Sequence, residues 1–523
     1  MRRVRRSPKP IDRRSFLRDT GLLGLSLGFP FINISTAGSA QFSSNPFALG
    51  VASGDPLPDA IVLWTRLAPQ PMQGGGMPGM PPAAVSVEWQ VAADEKMGKV
   101  IKRGTATASA DMAHSVHVDV RGLEPARWYW YQFRAGSHVS PVGRTRTAPA
   151  TGSQVDRLKL AFVSCQHYEH GFFVSYRHMA AEDLDLVIHL GDYIYEGAAQ
   201  TTGVRQHQGG EIKTLEEYRS RHAQYRTDPD LQKAHALFPW IVTWDDHEVD
   251  NNYANDAEEL GAPRQEFLAR RAAAYKAYYE HMPLRRASLP RGPNMQLYRR
   301  LTFGNLAEFS VLDTRQYRTD QPCGDGNKPP CPASLDAGAT MLGPAQERWL
   351  FQGLDRSKAR WNVIAQQVMM AQVDRRAGPD KMFSMDQWSG YVEGRNHVLS
   401  FLQRRKPANP IVLTGDIHSN WVADLKADFN NPMSETVGTE FVGSSISSGG
   451  DGEDVPAGVQ AYLPENPHIR FFNGQRGYVR CALTPGRWQT DYRVVSSVTR
   501  QDGTISTRAS FVVENGKPGA QRA

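Results

Sequence analysis

Four stretches of the chain run an aliphatic segment into residues that bind cations or move protons. The first closes on Ser164-Cys165-Gln166, and the second, Leu186-Val187-Ile188-His189-Leu190, closes on Gly191-Asp192, with Tyr195 and Glu196 just beyond. The third is Ile241-Val242-Thr243-Trp244 followed by Asp245-Asp246-His247-Glu248-Val249-Asp250-Asn251-Asn252. The fourth is Ile411-Val412-Leu413-Thr414 followed by Gly415-Asp416-Ile417-His418. A carboxylate has two lone-pair faces and can bridge two cations. A phenol three residues on can reach the same point, and an Asp-x-His turn can aim both side chains at one locus. Each stretch also has a plainer reading: an Asx turn, a charged turn in solvent, or a cysteine that is a small buried hydrophobe. Taken together, core strands that end in acid, His, Cys and Tyr predict a metal centre, because parallel strands deliver their carboxyl ends to one edge.

The elements that must carry these ends follow from hydrophobic periodicity. Val62–Arg66, Val85–Val91 and Val116–Val120 alternate in the period-two manner of half-buried strands. Leu123–Phe133, with Tyr129 inside it, resembles the aromatic corner of a fibronectin-type sandwich. Residues 41–148 are therefore expected to form a β-sandwich without catalytic groups, with a loop insertion at 68–83 and a linker at 149–154. From 155 the pattern becomes a layered α/β alternation that runs to about 500. Helices are predicted at 213–226, 264–281, 345–355 and 394–405, and strands at 240–244, 308–313, 361–366 and 410–414. Strand character returns at 436–450 and 476–497, and residues 498–523 read as a hairpin with a frayed polar tail.

The chain opens with a basic segment, paired Arg13-Arg14, an apolar run from Gly21 to Ile34 and small residues at 37–40. This predicts a cleavable twin-arginine signal over 1–40, export by the twin-arginine machinery, and a periplasmic or secreted product. That route carries folded proteins and so suits one that takes up its cofactor before export. Cys323 and Cys331 bracket a Gly/Pro/Asn loop and are expected to pair in an oxidising compartment, whereas Cys481 sits in an alternating strand and reads as packing. The net charge is only +6 and its cations are scattered outside the leader, which excludes a nucleic-acid stripe and favours small anionic substrates. No long amphipathic or apolar segment beyond the leader suggests stable membrane insertion.

The order Ser-Cys-Gln, Gly-Asp-x-x-Tyr-Glu, Asp-Asp-His-Glu, Gly-Asp-x-His resembles the alkaline phosphatase D family, a branch of the calcineurin-like metallophosphoesterases related in site to purple acid phosphatases. The resemblance spans nearly the whole chain. It departs from the wider superfamily pattern at Cys165, at Asp246 where an asparagine is usual, and at Asp416 where a histidine is usual. It implies an α/β (α+β) fold, an αββα sandwich of two mixed sheets preceded by a small fibronectin- or Ig-like β-sandwich. It implies a secreted phosphomonoesterase or phosphodiesterase with a dinuclear Fe3+/Ca2+ site and a metal-activated hydroxide. Cys165, Asp192, Tyr195 and His418 would hold the ferric ion, an anionic set suited to a trivalent cation. Asp192, Asp246 and Asp416 would hold calcium, which prefers oxygen ligands. A second calcium would draw on Asp245, Asp250 or Asn251.

Within that reading His247 donates a proton or binds phosphate near the leaving group. Arg315, just past another strand, is a candidate phosphate clamp through its planar fork, with a salt bridge to Asp313 or another acid as the alternative. Trp388 and Tyr391 would either wall the cleft or pack in the core. Three other functions fit parts of the chain. They are a phospholipase D on the same site, a metal-free hydrolase using Cys165 as nucleophile, and a module that only binds phosphate esters.

Overall fold

A computed structural model describes residues 42–73 and 79–523; the predicted signal lies outside them, as does the middle of the 68–83 loop. Two large mixed sheets pack face to face. One has ten strands, with Leu158–Val163, Leu186–His189 and Pro239–Val242 parallel at its centre. The other has seven, with Ala307–Val311, Trp361–Ala365, Pro410–Thr414 and Thr436–Val442 in parallel register.

Side-chain alternation explains the layering. Leu158, Leu160 and Phe162 of the first sheet meet Val363, Ile411, Leu413 and Phe441 of the second in one buried core. The intervening Ile364 and Val412 point the other way, into a second core against Leu350 and Leu354 of the helix Gly343–Arg356 and Val398, Leu399 and Leu402 of the helix Val392–Arg405. The result is the expected α/β sandwich with helices on the outside.

All four predicted helices lie within two residues of their expected ends. Leu215–Arg226 starts where it does because Thr214 and Glu217 form a reciprocal capping box. The helix Pro229–Leu237 was not expected, although Asp228 caps it and proline fills its first position.

The amino-terminal sandwich is built as predicted on Val87, Val91, Val116, Val118, Tyr131 and Phe133, and Tyr129 Oη accepts a hydrogen bond from Glu124 N at 2.9 Å at the corner. It is not a free-standing module, however. Its second sheet, Val51–Gly54, Ala60–Arg66 and Ser115–Arg121, is the end of the ten-stranded sheet, since Val51–Gly54 pairs in parallel with Pro239–Val242. The linker is packed too: Asn305 N donates to Ser153 O at 2.8 Å.

The carboxyl end also differs from expectation. Instead of fraying, Lys517–Arg522 pairs with Ile505–Glu514 as the outermost strand of the large sheet, and Gly519 N donates to Thr439 Oγ1 at 3.1 Å. Cys323 and Cys331 form a disulfide, and Cys481 is buried in the central core. No helix among the described residues is long and apolar enough to cross a membrane.

Candidate metal centre

The four chemical strand ends meet at one edge of the sandwich, three from the ten-stranded sheet and one, Pro410–Thr414, from the seven-stranded sheet. They meet through unusual backbone. Cys165, Asp192, Asp416 and His418 all adopt the left-handed region, with φ of 58°, 56°, 65° and 51°. Such residues cost on the order of 1–3 kcal/mol each and persist only where surroundings over-determine them.

Two glycines show what those surroundings demand. A Cβ on Gly191 would lie 2.4 Å from Asp245 Cβ, and one on Gly415 would lie 2.6 Å from Ser164 Oγ. Neither turn leaves room for a side chain at its glycine, which is the physical basis of the Gly-Asp pairs read in the sequence. Hydrogen bonds stitch them: Cys165 N to Gly191 O and Gln166 N to Asp192 O, both 3.0 Å. The buried Glu248 carboxylate accepts from Asp192 N at 3.0 Å, Asp245 N at 2.7 Å and Tyr193 N. The sequence reading quoted Glu248 within its motif but gave it no role.

Six of the expected ligands form one continuous patch. Ligand atoms of Cys165, Asp192 and His418 all lie within 4.8 Å of one another. Tyr195 Oη donates to Asp192 Oδ2 at 2.9 Å and reaches His418 Nε2 at 3.1 Å. Asp245, Asp246 and Asp416 form a second set within the same limit, and Asp192, Asp246 and His247 form a third that joins the two. Asp245 thus stands in the oxygen-rich set. Asp250 faces Arg270 at 2.9 Å, and Asn251 Nδ2 faces Glu259 at 2.6 Å. Behind Tyr195, His167, Glu169 and His207 make a further buried cluster whose polar atoms bond largely within the protein.

The residues present fit cations. Asp192 Oδ1, Asp245 Oδ2 and Asp246 Oδ1 are buried without a hydrogen-bond partner. Burial drives the carboxyls of Asp192 and Asp245 well above the usual range, the former against the pull of His247 and the latter against that of Arg315. Burial also raises Asp416 to about 6. At Asp246 burial pushes up as well, but Arg315 and His247 outweigh it and the carboxyl titrates low. Burial and then Asp192 raise both the Cys165 thiol and the Tyr195 phenol. So many acids, packed out of water, ionise together only around added positive charge.

Arg315 shows the second of its two expected arrangements, salt bridges to other acids. Its side chain is fully buried, and its fork does not face the opening. Nε pairs with Asp245, Nη1 with Asp386 at 2.8 Å, and Nη2 with Asp416 at 3.3 Å and Asp246 at 3.4 Å. Asp313 takes only its backbone N–H, at 3.0 Å. A guanidinium so occupied is a counter-charge for the acidic set. Asp386 and Gln387, which binds Asp416 Oδ2, complete this layer, and the sequence reading passed over both. Their neighbours Trp388 and Tyr391 are core residues.

His247 stands beside the ligand patch. Nδ1 bonds Glu196 Oε2 at 2.7 Å, Glu196 Oε1 accepts from Asn251 N at 2.9 Å, and the ring lies 4.1 Å from that of Tyr195. Burial favours the neutral ring, but Glu196, Asp246 and Asp192 together hold it protonated well above the ordinary value. About a fifth of its side chain is open to solvent (20%), against none of Arg315.

Comparison with known proteins agrees with this architecture. Residues 160–492 match the family model for PhoD-like phosphatase, and residues 33–149 match that for the PhoD-like phosphatase N-terminal domain. The chain is 53% identical over 521 residues to alkaline phosphatase D of Bacillus subtilis (strain 168), covering 98% of this chain and 89% of that protein. A solved structure of PhoD superposes with a TM-score of 0.91 at 54% identity, covering 93% of each chain.

Proposed function

Because the chain belongs to the PhoD-like phosphatase family, and so is a phosphoesterase, we propose that its acidic edge works with a mixed pair of cations. Cys165, Asp192, Tyr195 and His418 would hold a ferric ion. Asp246 and Asp416, with Asp192 between the sites and Asp245 beside them, would hold one or two calcium ions. The observation that supports this most is the pair of adjacent donor sets, one containing sulfur, nitrogen and oxygen and the other only oxygen, each gathered within 4.8 Å. When bound, two such cations acidify a water molecule and neutralise the oxygens of the phosphoryl group.

The protein's own groups do the rest. Glu196 fixes the His247 ring and keeps it charged, so that the half-buried imidazolium gives its proton to the departing oxygen. Arg315 balances the carboxylates from beneath without touching substrate. Cys165 is a ligand rather than a nucleophile. Its thiol is buried, donates to Ser164 Oγ at 3.2 Å, and is held protonated by burial and by Asp192.

The proposed substrates are small phosphate mono- or diesters. Export is proposed from the paired-arginine leader, and the Cys323–Cys331 disulfide suits an oxidising compartment. Turnover of p-nitrophenyl phosphate and of its bis ester, with and without chelator, tests the reading. Activity is expected to vanish on chelation and to return with iron and calcium. Activity that survives chelation but is abolished by thiol alkylation of the metal-free protein contradicts it.

A further inference from the structure

Arg226, the last residue of the helix Leu215–Arg226, is completely buried and has no carboxylate partner among the described residues. Its Nη1 touches Tyr193 Oη at 3.3 Å, and its guanidinium lies 4.3 Å from the centre of the Trp64 ring. Nε and Nη2 have no hydrogen-bond acceptor. A guanidinium cannot shed its proton to escape this, because it stays charged in proteins. Isolated buried charge costs several kcal/mol after relaxation, which neither one phenol nor one ring face offsets.

The surroundings are just as incomplete. His222, one helical turn before Arg226, is fully buried with neither ring nitrogen bonded. His235 binds Tyr193 Oη through Nε2 at 2.9 Å and leaves Nδ1 unbonded. Tyr131 Oη and Ser53 Oγ, from the sandwich side, are buried and pair only with each other. Tyr193 thus joins Arg226 to His235, while His222 lies on the same helix and Trp64 stacks from the sandwich side. The groups named here are hydroxyls, neutral imidazoles and one cation, with no anion among them. Water would satisfy such hydrogen bonds but would leave the charge unbalanced.

We propose that this junction between the sandwich and the catalytic body holds a small monovalent anion of the halide class, bound by Arg226 Nε and Nη2. The anion neutralises a buried arginine that has no acid within ion-pair distance among the described residues. It thereby fixes Tyr193, whose backbone follows Asp192 in the metal-bearing turn. The site is separate from the cation clusters at the metal-bearing edge, none of which includes His222 or His235.

Bromide substitutes for chloride and scatters anomalously, so the test is a crystal of the intact protein soaked in sodium bromide. An anomalous peak within hydrogen-bonding distance of Arg226 Nε and Nη2 is expected. In parallel, thermal unfolding of the intact protein is compared in sodium chloride and in sodium gluconate at equal ionic strength. The wild type is expected to melt several degrees higher in chloride, since a ligand bound only by the folded state stabilises it. Arg226→Gln is expected to lose that difference. Density that refines as water with no anomalous signal overturns the proposal, and so does a chloride effect of equal size in wild type and variant. If Arg226→Gln does not fold, the bromide map of the wild type decides alone.

Discussion

Tyr195 is where the interactions of the site converge. Its hydroxyl touches Asp192, His418 and Ser448, the last at 2.7 Å, and its ring lies between those of His167 and His247. If it ligates ferric iron, wild-type protein absorbs visible light and Tyr195→Phe loses the phenolate part of that band. A variant that keeps the full band removes Tyr195 from the ligand set. Glu196→Gln leaves the His247 ring without its anionic support, so kcat should fall roughly tenfold to a hundredfold with KM nearly unchanged, the scale of a weakened general acid. Steady-state kinetics on p-nitrophenyl phosphate checks this, and an unchanged kcat contradicts it. Arg315→Met strands several buried carboxylates and should destabilise the fold by about 3–5 kcal/mol in urea unfolding; a loss below about 1 kcal/mol would mean the acids do not depend on it. The ligand-type residues were legible because each sits in a short local pattern after an aliphatic run. The direction of Arg315 was not legible, since a sequence shows that a fork follows a strand but not which of several distant acids folds against it. Glu248 was hidden for the same reason: its partners are backbone N–H groups, which every residue carries.

At the level of elements, what matters is how turns are forced into place. The disulfide closes a loop whose ends are eight residues apart. That loop is pinned at Asp325 to Asn252, whose backbone N–H binds Asp246 Oδ2 at 2.7 Å. Its Asn327–Lys328 strand pairs with Phe383–Ser384, and Met385 N donates to Gly326 O at 2.9 Å, directly before Asp386. The strap therefore steadies both the acidic turn and the acid that holds Arg315. Replacing both cysteines by serine should cost about 2–3 kcal/mol from loop entropy alone. Denaturant unfolding measures this, and a double variant as stable as wild type contradicts it. The strands and longer helices were readable from period and capping. The strand Asn420–Lys426 was not, because it begins two residues after His418, where the polar turn masks its start. Equally unreadable was the left-handed backbone at Cys165, Asp192, Asp416 and His418, since only contact between turns from different sheets imposes it.

Across the whole molecule, the sandwich and the catalytic body share one sheet. The expected boundary at 149–154 is not a mechanical joint, because parallel pairing of Val51–Gly54 with Pro239–Val242 joins segments nearly 190 residues apart. Sequence periodicity reports strands and is silent on which distant strand lies alongside, so the two halves looked separable. A chain starting at Asp156 would bare that sheet edge and lose the Tyr131 face of the junction. It is expected to be insoluble or to melt far below the full chain, whereas a soluble and fully active truncated protein would refute the shared-sheet account. The central claim is that separate turns gather one thiol, one phenol, several carboxylates and an imidazole around cations. Elemental analysis of purified, active protein tests it most directly. One iron and at least one calcium per chain are predicted, with Cys165→Ser losing iron while retaining calcium; full activity in protein that contains neither metal would contradict the account.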